Sequence, residues 1–279
     1  MLAAVVFLAQ VASAKPNLKK ELGGIYRNRV LPLKSTCSSA VLYFDAHGQG
    51  SPSCPEEPWI IFSSFRFRKF EVSKEALTVT GIREIDTVVA VSPTANPTAS
   101  PNLPLSDQVV LTFYLSAPLT EIGAAQALIA PAFVSEPERT EQLLPYSRLV
   151  PSKNPLEHRT NGNPTVCDPE KQKPLGLLGA DRPVYSLTLG CPGELPPKAI
   201  RQPDPGYPED GRRNGIRGDS ALHLIVDDKG RPVLMRVFQR LGHGFEESAI
   251  NTVASWTFQP ATRDGKPMAV VITVEVSFH

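Results

Sequence analysis

The chain has no excess of charge of either sign. Its 279 residues carry 29 Lys and Arg against 28 Asp and Glu, a formal charge of +1, with no basic stripe and no acidic tail. A phosphate backbone is held by clustered Lys and Arg, so this balance argues against a nucleic-acid partner. Patterns that carry common chemistries are also missing. The histidines, His47, His158, His223, His243 and His279, are scattered. His243-Gly244-Phe245-Glu246-Glu247 lacks the spacing that sets two metal ligands on one helical face. There is no G-x-S-x-G elbow and no phosphate-cradling glycine loop. Cysteine is scarce too, at Cys37, Cys54, Cys167 and Cys191, with no C-x-x-C pair to suggest zinc. The chain is therefore expected to be no enzyme and to hold no metal or cofactor. Asp227-Asp228 reads as a strand end and turn rather than a catalytic pair. Arg66, Arg68 and Lys69 read as a solvated strand face rather than a phosphate or lipid-headgroup site.

Long apolar runs are absent as well, since a membrane span needs ~20 apolar residues and no segment offers them. Leu2 to Val11 is apolar apart from Gln10 and leads into Ala12-Ser13-Ala14 and Lys15-Pro16. A short apolar stretch ending in a small-x-small site predicts a secretory signal over residues 1–14. No Lys or Arg precedes it, which points to a true start upstream of Met1; a buried amino-terminal helix or strand is the alternative. An even cysteine count fits an exported, periplasmic or secreted protein. Of three possible connectivities, Cys37–Cys54 and Cys167–Cys191 close the shortest loops within separate segments; four reduced, buried thiols are the alternative.

What is present is proline, 28 residues of it, concentrated between patterned segments. The length suits about two domains. Residues 15–91 read as a β-rich, antiparallel domain, with Phe65-Arg66-Phe67-Arg68 alternating and Leu77 to Ile82 completing a hairpin. Residues 92–107 read as a linker, 108–134 as a strand and helix, and 135–197 as Pro-rich loop. Residues 198–279 carry the clearest periodicity. Leu222, Leu224 and Val226 alternate, Asp228-Lys229-Gly230 turns, and Val233, Met235 and Val237 alternate again. Phe245, Ala249, Ile250, Val253 and Trp256 then recur at helical spacing behind Gly244, with Glu246 and Glu247 in the first turn, where the helix dipole favours acids. Met268, Val270, Ile272, Val274, Val276 and Phe278 form the apolar face of a last strand. The fold class expected is α+β, an antiparallel sheet packed by a helix.

These residues resemble the TonB carboxy-terminal domain. The marks are Pro205-Gly206-Tyr207-Pro208, Gly215 to Gly218, Val226-Asp227-Asp228-Lys229-Gly230-Arg231-Pro232, Gly242 to Ala249, Trp256-Thr257-Phe258-Gln259-Pro260-Ala261 and Gly265-Lys266-Pro267, in order over about eighty residues. The upstream segments are similar to those ahead of this domain in secreted TonB-like proteins of acidobacteria. The resemblance implies a periplasmic protein-binding module, an energy transducer for transmembrane transport that contacts a TonB-dependent outer-membrane receptor and an ExbB/ExbD-type motor. It implies that the receptor peptide pairs with the edge formed by Val270, Val271, Ile272, Thr273, Val274 and Glu275, with Tyr207 near further contacts. Two departures matter. Residues 15–197 stand where transducers carry a membrane helix and a charge-patterned spacer, and Gly211 stands where the family has Ala in its first short helix. They favour an alternative, a structural, self-associating envelope protein without force transduction, and a homodimer would cap the same edge.

Overall fold

The computed structural model describes residues 17–35, 37, 39–50, 60–88, 107–135, 137–138, 149–150, 173–178, 181–187 and 191–279. The expected signal segment 1–14, most of the expected linker, Cys54 and Cys167 lie outside the described residues. Neither Cys37 nor Cys191 is a free thiol.

The first segment does not open with a strand. Leu18–Tyr26 is a helix (α1), started by Asn17, whose side chain accepts from the Lys20 N–H at 3.2 Å. Leu18 and Leu22, one turn apart, bury its inner face, while Gly23 and Gly24 weaken the helical signal that sequence reading depends on. Strands β1 (Val30–Leu33), β2 (Val41–Phe44), β3 (Ile60–Val72) and β4 (Ala76–Val88) follow, then β5 (Gln108–Tyr114) and helix α2 (Ile122–Ile129). The β3–β4 hairpin is the one expected, closed by Ser73, whose side chain and backbone both bond Ala76. β2, however, runs parallel to β5. The expectation of purely antiparallel strands fails there because parallel partners are distant in sequence and leave no local turn signal. Alternate residues Phe65, Phe67, Leu77, Val79, Leu111 and Phe113 face α1 and α2 and fill this core.

In the carboxy-terminal part come β6 (Gly176–Leu178), β7 (Arg182–Ser186), β8 (Glu194–Leu195), β9 (Lys198–Arg201) and the short helix α3 (Glu209–Arg213). They are followed by β10 (Gly218–Val226), β11 (Pro232–Gln239), α4 (Phe245–Ala254), β12 (Thr257–Gln259), β13 (Ala261–Arg263) and β14 (Lys266–Phe278). β10 lies between β11 and β14, antiparallel to both, and α4 packs Phe245, Ala249, Ile250 and Val253 against them. The architecture is α+β.

Gly230 closes the β10–β11 turn at φ +78°, where a Cβ would stand 1.8 Å from the Phe258 carbonyl oxygen, so no other residue fits. Asp227 opens that turn with its carboxylate fully buried. It accepts from the backbone of Lys229 and Arg231 and pairs with the Arg231 guanidinium at 2.7 Å. The two parts share one sheet, because β4 pairs with β11 through Val88 with Met235 and Thr87 with Arg236.

Candidate functional site

The last strand is held firmly on one side only. From Val270 to Phe278 it pairs residue for residue with β10, Val226 back to Gly218. Its apolar face is anchored by Val270, Val276 and Phe278, all buried, with Ile272 and Val274 half-buried against the α4 core. On the opposite face Thr273 Oγ1 lies 2.9 Å from His223 Nδ1, whose ring stacks on Phe238. Glu275 is exposed.

The outer edge of the strand divides in three, with Lys266, Pro267 and Met268 paired to β13. At Ala269, Val270 and Val271 it is taken by β7, which adds in parallel through Val184, Tyr185 and Ser186. From Ile272 to Glu275 no strand among the described residues pairs with it. Of the six residues that the resemblance brings to the edge, Val270 and Val271 are thus already paired within the chain. Among the described residues Ile272, Thr273, Val274 and Glu275 keep an open side, unpaired backbone of the kind to which an extended peptide adds. Sequence reading could not find β7, because Arg-Pro-Val-Tyr-Ser carries a proline and no alternation long enough to read as a strand.

Beside β7 and β14 lies a surface hollow of about 380 Å³, lined by Tyr185, Arg263, Asp264 and Lys266 among others. The Arg263 guanidinium sits 4.6 Å over the Tyr185 ring and pairs with Glu194 at 2.8 Å.

Tyr207 is placed at a structural joint. Its hydroxyl donates to the Ile216 carbonyl, and its ring packs edge-on against Phe245 at 5.3 Å and Phe278 at 6.1 Å. It ties the segment before α3 to the end of β14; its polar atom is spent inside the fold. Gly211 explains one of the departures from the family pattern: a Cβ there would come within 2.4 Å of the Phe245 ring. A glycine lets the larger ring fill the space an alanine methyl would take.

A second cluster escaped sequence reading. Between the amino-terminal strands and the start of α4 is a cleft of about 560 Å³ that draws together Arg83, Asp107, Asp210, His243, Glu246 and Glu247. Burial raises the carboxyls of Asp107 and Glu246 above their ordinary values and pushes Glu247 up to about 8. Glu246 and Glu247 were legible as first-turn acids, but their burial comes from the amino-terminal strands closing over them. Among the described residues, no group of three or more His, Cys, Asp or Glu is disposed to hold a metal ion, and no helix is long and apolar enough to cross a membrane.

Residues 203–279 match the family model described as Gram-negative bacterial TonB protein C-terminal. Protein TonB of Vibrio cholerae is 27% identical over 86 residues, 30% of this chain and 35% of that protein, so the match spans about a third of the relative's length. The solution NMR structure of the Pseudomonas aeruginosa TonB carboxy-terminal domain aligns with 33% of this chain and 92% of that one at 21% identity. Its TM-score is 0.26, a likeness too slight to carry an argument. The marks quoted from Pro205 to the last strand are the ones the family model spans, and on that match residues 203–279 of this chain are similar to the TonB C-terminal domain family.

Proposed function

We propose that the chain is an envelope protein-binding module that captures an extended peptide by strand addition along Ile272, Thr273, Val274 and Glu275. The observation that carries this reading is the division of the β14 edge. One side is fully paired to β10, β7 closes the edge at Ala269–Val271, and the next four residues are left without a strand among the described residues. Main-chain bonds to that edge would supply affinity, and the alternation of side chains along the added strand would supply specificity. The finer parts come from the family resemblance. They are a TonB-dependent outer-membrane receptor as the peptide's source, an ExbB/ExbD-type motor behind it, and a role in transmembrane transport. A periplasmic or secreted location after loss of residues 1–14, and the pairings Cys37–Cys54 and Cys167–Cys191, belong to the same proposal; peptide mapping of the unreduced protein tests the pairings.

The test is calorimetry of the full chain with receptor box peptides. Saturable one-to-one binding is expected, lost when alternate peptide nitrogens are methylated so that the strand cannot donate. No binding by any box peptide overturns the receptor as partner. The open edge also favours a second reading, two copies pairing β14 to β14 as a structural envelope protein. Sedimentation decides for it if the chain is a concentration-dependent dimer whose formation the peptide does not disturb.

A further inference from the structure

The cleft between the amino-terminal strands and α4 ends at a buried acid with an unused oxygen. Glu247 is 2% exposed, and its Oε2 has no hydrogen-bond partner although it lines the cleft. Native structures pair nearly all buried polar atoms, so an orphaned one calls for a missing partner.

The neighbours cannot supply that partner, because their own bonds are directed elsewhere. Asp107 accepts from the His243 N–H at 2.9 Å, and Asp210 meets His243 Nδ1 at 2.7 Å. Glu246 accepts from the Leu241 and Gly242 N–H groups. Arg66 holds Glu84 at 2.6 Å, and Arg240 donates to the Ile85 carbonyl at 2.7 Å. Arg83, itself buried, donates to the Cys37 carbonyl at 2.6 Å. Arg68 donates to Asn28 Oδ1 at 2.8 Å. The lining thus sets Glu84, Asp107, Asp210, Glu246 and Glu247 against Arg66, Arg68, Arg83 and Arg240. Burial holds the Asp107, Glu246 and Glu247 carboxyls high, and Glu246 and Asp107 push Glu247 higher still.

We propose that this cleft binds a ligand bearing a primary ammonium group, with Glu247 Oε2 accepting its hydrogen bond and Asp107 and Glu246 supplying counter-charge. An ammonium is compact and carries only donors, which suits one free acceptor. The volume, about 560 Å³, lies within the ordinary range for small-molecule sites. Glu247 is protonated at neutral pH, so binding transfers its proton to the buffer as the carboxylate forms beside the ammonium. The site stands apart from β14 and does not rest on the receptor reading.

A small free amine and a lysine side chain share this chemistry. The test titrates the full chain at about pH 8 with n-butylammonium and with Nα-acetyl-lysine methylamide, against 1-butanol and butyrate. Saturable one-to-one binding of the amines alone is expected, with proton release seen in buffers of different ionisation enthalpy. Tighter binding of the lysine amide assigns the site to a peptide; tighter binding of butylammonium assigns it to a free amine. Glu247→Gln, uncharged like the protonated acid it replaces, should keep the fold and weaken binding at least about tenfold. Asp107→Asn, at the cleft's other wall, should weaken it less. The absence of amine binding by the native chain, or equal affinity in folded Glu247→Gln, overturns the proposal.

Discussion

Both halves of the sheet bury rings and aliphatic side chains, but the carboxy-terminal half also buries carboxyl groups, whereas the described amino-terminal core buries one charged side chain, Arg83. In the first, Phe44 stacks on Phe113 at 4.6 Å and Phe65 meets Phe67 edge-on at 5.0 Å beneath α1 and α2. In the second, α4 lies on Leu222, Leu224, Met235 and Val276, while Asp227, Glu246 and Glu247 are withdrawn from water alongside them. The first half is a closed core in which the described charge is carried at the surface apart from Arg83. The second half keeps an open strand edge and acids with shifted protonation, and such expenses are found where a fold serves binding.

The sharpest way to break this contrast is to empty each core in turn. Phe67→Ala and Phe245→Ala remove rings that are fully buried, and each should lower the unfolding free energy by ~3–5 kcal/mol in urea. Because β4 is paired to β11, both should shift one common transition. Two separated transitions in hydrogen exchange would show that the halves stand independently.

Next in size is the pH response. The folded Glu247 carboxyl titrates near 8, well above an unfolded glutamate, so the folded state holds a proton the unfolded state has lost between those values. Stability should be full below about pH 4.5 as far as this group is concerned and should fall as pH rises towards 8, by on the order of 2–4 kcal/mol. Glu247→Gln should flatten that decline. An unchanged slope in the variant would mean that Glu247 is not the group responsible.

A smaller loss, about 2 kcal/mol, is expected for Gly230→Ala, which combines a left-handed backbone with a carbonyl in the way. Smallest is Tyr207→Phe, which forfeits the bond to Ile216 and should cost about 1 kcal/mol while leaving peptide binding intact. Loss of binding without loss of stability would instead make the Tyr207 hydroxyl a partner contact.

How much of this was legible depended on how local the cause was. β10, β11, α4 and β14 were readable because alternation and helical spacing are written in consecutive residues, and Gly230 because a tight turn demands it. α1 was hidden by Gly23-Gly24 in a helix of nine residues. The parallel pairings of β2 with β5 and β7 with β14 leave no sequence trace, since each joins segments far apart in the chain. The consequence was largest at the candidate site, where the internal strand that already covers Val270 and Val271 left no mark in the sequence. Gly211 stands out in the sequence only as a departure from the family's Ala, and packing against Phe245 gives it a reason. The acids of α4 were seen in their helix but not in their cleft, because Arg83 and Asp107 arrive from more than a hundred residues away.

The most direct measurement is amide mapping by NMR of the isotope-labelled full chain titrated with a receptor box peptide. We expect shifts and protection at Ile272, Thr273, Val274 and Glu275, with the β10 side of the strand unchanged and the pairing of Ala269–Val271 with β7 retained. Binding that leaves those four amides untouched, or that maps to another surface, would contradict strand addition at the open edge.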